Sequence, residues 1–468
     1  MFERFTTFHP RSGRRTAPFG FAPLALSLVL AIVLPGCGPQ PQETPTAVKN
    51  EDAAPAKADD ALCQASMSWI TDPTMPSEVA ATETFCDFYQ FSWQWFLAQV
   101  SPAIAANPSG ERVFESNRLY DPSVASGQCA MDAITGRANA VRLLSLRDVK
   151  PQNFEDEQAD GSALYDQNGN ILYYNIWYSQ AECDSTSSGF APGTMEIKVA
   201  WKILPKPDPT FFTMQATLPG GTQPVTLGLV GFHLVNWTSK HPEMIWATFE
   251  HKSNAPLCDG SSVTPSSGWS LASNEAAQCL SANPQPGAGP PNSACASFNF
   301  NTPDAFNGDA PPPTNTANQI CRQFANGNQP GVAVNGNDNA ANLLAIEQLN
   351  TALAGPQGLL TQLSADDPMA VWQNYEMVGA LWTKNGAASG KLPVPSAQGP
   401  ADPNSPQRGS LELTNMTMET FEQGDASFVP NCFGCHNYDP STPLTVSHIE
   451  KKLFQASAVA KPANKEKK

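Results

Sequence analysis

Five short runs of mostly apolar residues follow one another in the middle of the chain. Each run is rich in β-branched or aromatic residues and is bounded by Gly, Pro, Asn or Asp, which is the pattern of a β-strand. The predicted strands are residues 171–178, 194–204, 210–218, 226–237 and 244–251. Because no helical pattern separates them, we predict an α+β protein with a mostly antiparallel, sandwich-like β core over about 165–252.

Helical patterns flank this core. Residues 85–97 carry aromatic side chains at helical spacing in a segment that is apolar almost all round, which predicts a buried helix. Two further helices are predicted, one at 339–354 with leucines in its apolar set and one at 368–384. Asp366 and Asp367 precede the last of these, where negative charge stabilises a helix N-terminus.

One short motif specifies a chemistry. Residues 432–436 are Cys-Phe-Gly-Cys-His, the C-x-x-C-H spacing of covalent haem c attachment. In that chemistry Cys432 and Cys435 bond the porphyrin and His436 is the proximal iron ligand. A chain of this composition would contain the pattern by chance about 0.003 times. A redox dithiol with an incidental His, or half of a zinc site, would have the same spacing.

The N-terminus has the pattern of an export signal, which favours haem over zinc. Arginines precede an uncharged, mostly apolar stretch at 19–34 that is short for a membrane span. The stretch ends in Leu-Pro-Gly-Cys, which resembles a bacterial lipobox, so we predict a lipoprotein signal peptide over 1–36 and lipidation of Cys37. Gly38 behind that Cys favours the outer membrane. An uncleaved anchor helix is the alternative.

The remaining sequence divides into three predicted parts. Residues 37–60 are rich in Pro, Ala, Gln and Asp, the composition of a disordered tether. The α+β body covers 61–410 and contains a long loop at 253–335 that is rich in Cys, Pro and Asn. A loop of that length in a compact domain favours stapling by disulfides. Residues 411–468 form the haem c-binding segment.

Cysteine parity agrees with export. The chain has 11 cysteines. Setting aside Cys37 and the two motif cysteines leaves an even number, which an oxidising compartment can join in disulfides. Spacing does not give connectivity. Because each pair brackets loop-rich sequence, we expect Cys258 to pair with Cys279, and Cys295 with Cys321.

The second axial iron ligand is open at this point. No Met follows His436, so a standard small cytochrome domain cannot be completed downstream. Met418, or Met416 just before it, would supply a thioether from the preceding segment, and His448 would give two imidazoles. An open position would instead bind small ligands or permit peroxidase-like chemistry.

A second cluster of candidate ligands lies in the predicted strands. If 226–237 and 244–251 pair so that His233 and His251 are opposite each other, both imidazoles share one face. With Glu250 beside them, they would form a metal site or a site at the haem edge. The alternative is an ordinary polar patch.

Charge restricts the partners. The net charge is −16, which argues against nucleic acid or an anionic membrane surface and favours a redox partner protein with a basic surface. Membrane contact would come through the lipid anchor only. Solubility alone is the competing explanation for the charge.

Four segments resemble a group of bacterial exported proteins labelled "cytochrome c family protein". They are residues 231–235, 244–251, 371–376 and 413–421, and the resemblance covers roughly 85–255 and 368–436. It implies a periplasm-facing protein with a single haem and a larger part that is not cytochrome-like. The chain departs from the group in its loop at 253–335 and its lipobox, and the resemblance gives no reaction.

These observations predict a lipid-anchored c-type cytochrome with one covalent haem that transfers single electrons in the periplasm. An electron carrier is favoured over a catalyst. One alternative is a haem-dependent oxidase or peroxidase with an open iron site. The other is a binding protein that uses haem as a redox sensor.

Overall fold

The computed structural model describes most of the chain between residues 62 and 449. The described residues are 62–102, 111–119, 164–186, 188–218, 221–285, 291–300, 317–328, 333–334, 336–384, 386, 405–417, 432–436, 438–447 and 449. The predicted signal peptide and tether, the lipidation site Cys37, and the candidate iron ligands Met418 and His448 lie outside them.

An eight-stranded sheet forms the centre of the fold, and all its pairings are antiparallel. Its strands are β1 Arg118–Leu119, β2 Tyr173–Tyr178, β3 Met195–Ile203, β4 Thr213–Thr217, β5 Pro224–Asn236, β6 Ile245–His251, β9 Tyr375–Thr383 and β10 Gln407–Gly409. β7 Ala333–Val334 and β8 Asn337–Asp338 form a separate pair. The order in the sheet is β1-β2-β3-β5-β6-β9-β10, with β4 also paired to β5. All five predicted strands are therefore present.

The helices are α1 Ser68–Thr71, α2 Phe85–Val100, α3 Gln180–Cys183, α4 Asn274–Ala282, α5 Asn339–Ala354 and α6 Cys432–Cys435. Of these, α2 and α5 cover one side of the sheet, which we call the first face. Aromatic side chains of α2 and aliphatic side chains of α5 pack with β5, β6 and β9 in one apolar core. In the described part of the chain, helices rather than a second sheet cover this face, which differs from the sandwich-like packing predicted. No helix there is long and apolar enough to cross a membrane.

Local signals set the two long helices. Thr84 and Asp87 form a reciprocal capping box at the start of α2. Asp338 caps α5 by accepting from the backbone N–H groups of Ala340 and Ala341. Both helices confirm the predicted segments, and α2 continues to Val100.

The predicted helix at 368–384 is wrong. A short 3₁₀ helix at Ala370–Asn374 leads directly into β9, which pairs with β6 on one side and β10 on the other. Eight of its nine residues are buried because both faces of the sheet are covered. A strand that is buried on both faces has no apolar and polar alternation, so its pattern resembles that of a buried helix.

Disulfides fasten the long loop in a nested arrangement. Cys279 of α4 bonds Cys295, and Cys258 bonds Cys321 around them. Both predicted pairings are therefore wrong, because α4 and the following 3₁₀ turn at Ser293–Phe298 bring the inner two cysteines together. Cys63 bonds Cys86 at the start of α2, and Cys183 is disulfide-bonded as well.

Candidate functional site on the second face of the sheet

The side of the sheet turned away from α2 and α5, which we call the second face, carries the candidate site. Residues directly opposite each other in an antiparallel pair share a face, and alternate residues of a strand share one too. The pairing of β3, β5 and β6 therefore puts one set of side chains on the second face: Glu196, Lys198, His233, Val235, Trp246, Thr248 and Glu250.

The C-x-x-C-H segment packs on this face. α6 is a single helical turn, and Phe433 within it is fully buried among Val235, Trp246 and Leu381. The backbone N–H of His436 continues the turn by donating to the Cys432 carbonyl at 2.8 Å. Cys432 is half-buried and is not in a disulfide. The turn therefore places its thiol and the following imidazole against the sheet.

His436 is buried and is hydrogen-bonded through Nδ1. Its ring is buried and lies with its centroid 4.3 Å from that of the Trp246 indole. Its Nδ1 is 2.8 Å from the Val446 carbonyl oxygen. Since a carbonyl only accepts, Nδ1 carries a hydrogen, and in the neutral tautomer with that hydrogen the lone pair is on Nε2. A backbone carbonyl on the second nitrogen is the usual support of a histidine ligand.

His233 of β5 lies near the same indole. Its ring centroid is 6.0 Å from that of Trp246. Nδ1 is 2.7 Å from the Thr248 hydroxyl, whereas Nε2 is buried without a hydrogen-bond partner among the described residues. Burial lowers the pKa of His233 to about 3, and the charge of Lys198 adds to the effect. The imidazole is therefore uncharged at neutral pH.

His251 does not join this site. The register places Thr248, not His251, opposite His233, so the predicted pairing of the two histidines is wrong. The turn between β5 and β6 sets this register, and it ends at Met244 with a left-handed φ of 68°. His251 Nε2 donates to the Thr210 carbonyl at 3.0 Å, and Nδ1 is 2.7 Å from the Ser253 hydroxyl. Both nitrogens have partners, so it is a core histidine.

Glu250 is on the second face but is engaged in the structure of the loops. Its carboxylate accepts from the Arg322 guanidinium at 2.7 Å, from the Asn254 amide at 3.0 Å and from the Met416 backbone N–H at 3.1 Å. Met416 packs its side chain with Leu172 and other apolar residues, in a cluster separate from that around Trp246. Glu250 therefore anchors loops, and Met416 fills core.

Sequence reasoning missed a buried carboxyl pair that contacts the segment behind the C-x-x-C-H turn. Glu196 of β3 and Glu182 of α3 are both buried, and Ser447 donates its hydroxyl to Glu182 at 3.2 Å. Burial raises the pKa of Glu196, and hydrogen bonds from Ser447 and Glu182 oppose the rise. Trp246 was missed as well. The only available signal was its position in a predicted strand, two residues before Thr248.

The residues of the C-x-x-C-H turn are of the types that hold a haem c. In the described part of the chain, no group of three or more His, Cys, Asp or Glu side chains that could hold a metal ion is found. The backbone turn Cys432–Cys435 with His436 behind it matches the attachment pattern, and two buried imidazoles contact one indole. No protein-family model matches the chain, and no curated protein and no solved structure does so.

Proposed function

We propose that this protein is a periplasm-facing c-type cytochrome with one haem, which transfers single electrons. Cys432 and Cys435 would hold the haem covalently, and His436 would bind its iron. The observation that carries the proposal is the hydrogen bond from His436 Nδ1 to the Val446 carbonyl in a buried site directly behind the C-x-x-C turn. That bond orients the ring, and Nε2 would then be the nitrogen that binds iron.

The residues around His436 suit electron transfer. Haem c, when bound, supplies a one-electron ferric and ferrous couple. Trp246 and Phe433 exclude water from one side of the imidazole, and a dry, apolar surround is one of the features by which a protein sets a redox potential. The net charge of −16 favours a partner protein with a basic surface. Export, with a lipid on Cys37, would keep the protein at the bacterial membrane, the outer membrane being favoured.

Covalent attachment is the first test. The full chain is expressed with a c-type maturation system, denatured in acid, and assayed by pyridine haemochrome absorption. We expect a c-type α band in the wild type and its loss in Cys432→Ser and Cys435→Ser. The matched control is the double variant Cys279→Ser and Cys295→Ser, which removes a disulfide outside the motif and keeps the haem. A wild-type protein without covalent haem would overturn the proposal.

The second test is the electron count and the partner charge. A reductive titration of the haem-loaded protein is expected to take up one electron per chain. Electron exchange with a small basic redox protein should slow as ionic strength rises, because salt screens the attraction between opposite charges. Exchange that is faster with an acidic partner of equal potential would contradict the charge argument.

A further inference from the structure

We infer that His233 supplies the second protein ligand of the haem iron, so that two imidazoles, one from β5 and one from the C-x-x-C-H segment, would hold the iron. This inference rests on the proposed function, because it needs a haem on His436. It replaces the thioether of Met418 and the imidazole of His448 as the distal group. It also makes the sheet itself part of the haem site.

The first argument is the lack of a partner for His233 Nε2. The residue is 2% exposed, and this nitrogen has no hydrogen-bond partner among the described residues. Burying a polar atom unpaired costs about 1–3 kcal/mol. His251, on the same pair of strands, has partners on both nitrogens. Burial in this sheet therefore does not by itself leave an imidazole nitrogen without a partner. An electron-pair acceptor at Nε2 would remove the cost.

The second argument is the shared orientation of the two rings. His436 uses Nδ1 to bond the Val446 carbonyl, and His233 uses Nδ1 to bond the Thr248 hydroxyl. The Val446 carbonyl can only accept, and the Thr248 hydroxyl can accept as well, so both bonds are compatible with the tautomer that keeps the lone pair on Nε2, a nitrogen that binds metals. The two Nδ1 partners, Val446 and Thr248, belong to different elements, so neither ring depends on the other for its position.

The third argument is position. His233 and His436 both lie on the second face, and both rings are near the Trp246 indole, at 6.0 Å and 4.3 Å between centroids. One other described histidine, His241, also has a buried Nε2 with no partner there. Its ring packs edge-on against Phe88 of α2 instead, and Nδ1 bonds Glu243. Only His233 combines the unpaired nitrogen with the ring neighbour of His436.

Two imidazole ligands determine what the protein does. A six-coordinate iron offers no open position, so the haem would carry electrons rather than bind oxygen or peroxide. Bis-imidazole ligation also lowers the redox potential relative to a thioether ligand. The inference therefore favours the carrier over the oxidase.

The test compares His233→Ala with His241→Gln and His448→Gln in the haem-loaded full chain. Pyridine haemochrome absorption first establishes that each variant carries covalent haem. Electron paramagnetic resonance and visible spectra then report the spin state. We expect low-spin iron in the wild type and both controls, and high-spin iron in His233→Ala that returns to low spin when free imidazole is added.

The outcomes separate the two proposals. If covalent haem is present and His233→Ala stays low-spin, or if His448→Gln alone turns high-spin, the inference fails and the proposed function stands. If the wild type holds no covalent haem, the proposed function fails. Near-infrared magnetic circular dichroism of the wild type needs no variant. Two nitrogen ligands support the inference, whereas a thioether band or a high-spin ferric spectrum overturns it.

Discussion

The indole of Trp246 and the imidazole of His436 lie with ring centroids 4.3 Å apart and their planes at 44°. A hydrogen bond also fixes Trp246, because its Nε1–H donates to the Glu243 carbonyl at 3.0 Å. Glu243 lies in the turn between β5 and β6, and its side chain in turn accepts from Thr383 of β9. The proposed iron ligand is thus docked on a side chain that three strands hold in place.

Replacing Trp246 by Phe should affect both stability and haem. The smaller ring loses the Nε1 hydrogen bond and leaves a cavity, so we expect a loss of about 1–3 kcal/mol in the free energy of unfolding, measured in urea. The haem absorption spectrum should shift because the surround of His436 changes. Trp372→Phe is the control, since Trp372 is equally buried on the first face. Identical spectra in the two variants would contradict the docking role.

The strands of the sheet were predictable because their signals are local. Turn residues bound each of the five runs, and none of the predicted ends differs from the observed one by more than three residues. β9 was not predictable in the same way. Its residues are buried on both faces, so the choice between helix and strand was made by pairing with β6, which lies far away in the chain.

The candidate site was also predictable only where its signals are local. Cys432, Cys435 and His436 lie within five consecutive residues, so their spacing alone was enough to predict them as a site. Val446, Trp246 and Thr248 come to the site only through the packing of α6 and the register of β5 with β6. That register depends on a turn that ends at Met244 with a left-handed φ. No composition rule marks such a residue, because non-glycine residues seldom adopt that conformation.

Removing the outer disulfide should destabilise the protein more than removing the inner one. Cys258–Cys321 joins positions 63 residues apart, and Cys279–Cys295 joins positions 16 apart. Loop entropy then predicts a cost of about 4 kcal/mol for the outer bond and about 3 kcal/mol for the inner bond. Thermal and urea unfolding of the two Cys→Ser double variants measure the difference. The reverse order would show that native contacts, not chain entropy, dominate.

We expect Glu250 to stabilise the fold rather than to act at the haem. Glu250→Ala leaves the Arg322 guanidinium, which is 12% exposed, without its carboxylate, so we expect a loss of about 3–5 kcal/mol. Glu250→Gln replaces the carboxylate by an amide, which keeps a polar atom at each of the two positions. The loss in the free energy of unfolding should therefore be smaller than in Glu250→Ala. Urea unfolding measures both. Haem content and spin state should stay unchanged in the Gln variant, whereas a changed spin state would give Glu250 a role at the iron.

The buried carboxyl Glu196 should make stability fall as pH rises. Burial raises its pKa in the folded state above the ordinary value of 4.5, which the unfolded chain keeps. The folded state therefore binds the proton more tightly, so the contribution of Glu196 is most favourable below pH 4.5. That contribution is lost as pH rises from 4.5 through the raised pKa.

Glu196→Gln removes this proton exchange while keeping the shape of the side chain. Its free energy of unfolding should decline less than that of the wild type between pH 4.5 and pH 7, measured in urea at several pH values. Glu347→Gln, at an exposed position of α5, is the control and should follow the wild type.

The same carboxyl should affect the haem, because Ser447, in the segment behind His436, bonds the Glu182 and Glu196 pair. We therefore expect the haem absorption of the wild type to drift over the same pH range and that of Glu196→Gln to stay constant. If the free energy of unfolding changes equally with pH in all three proteins, Glu196 does not take up a proton on folding.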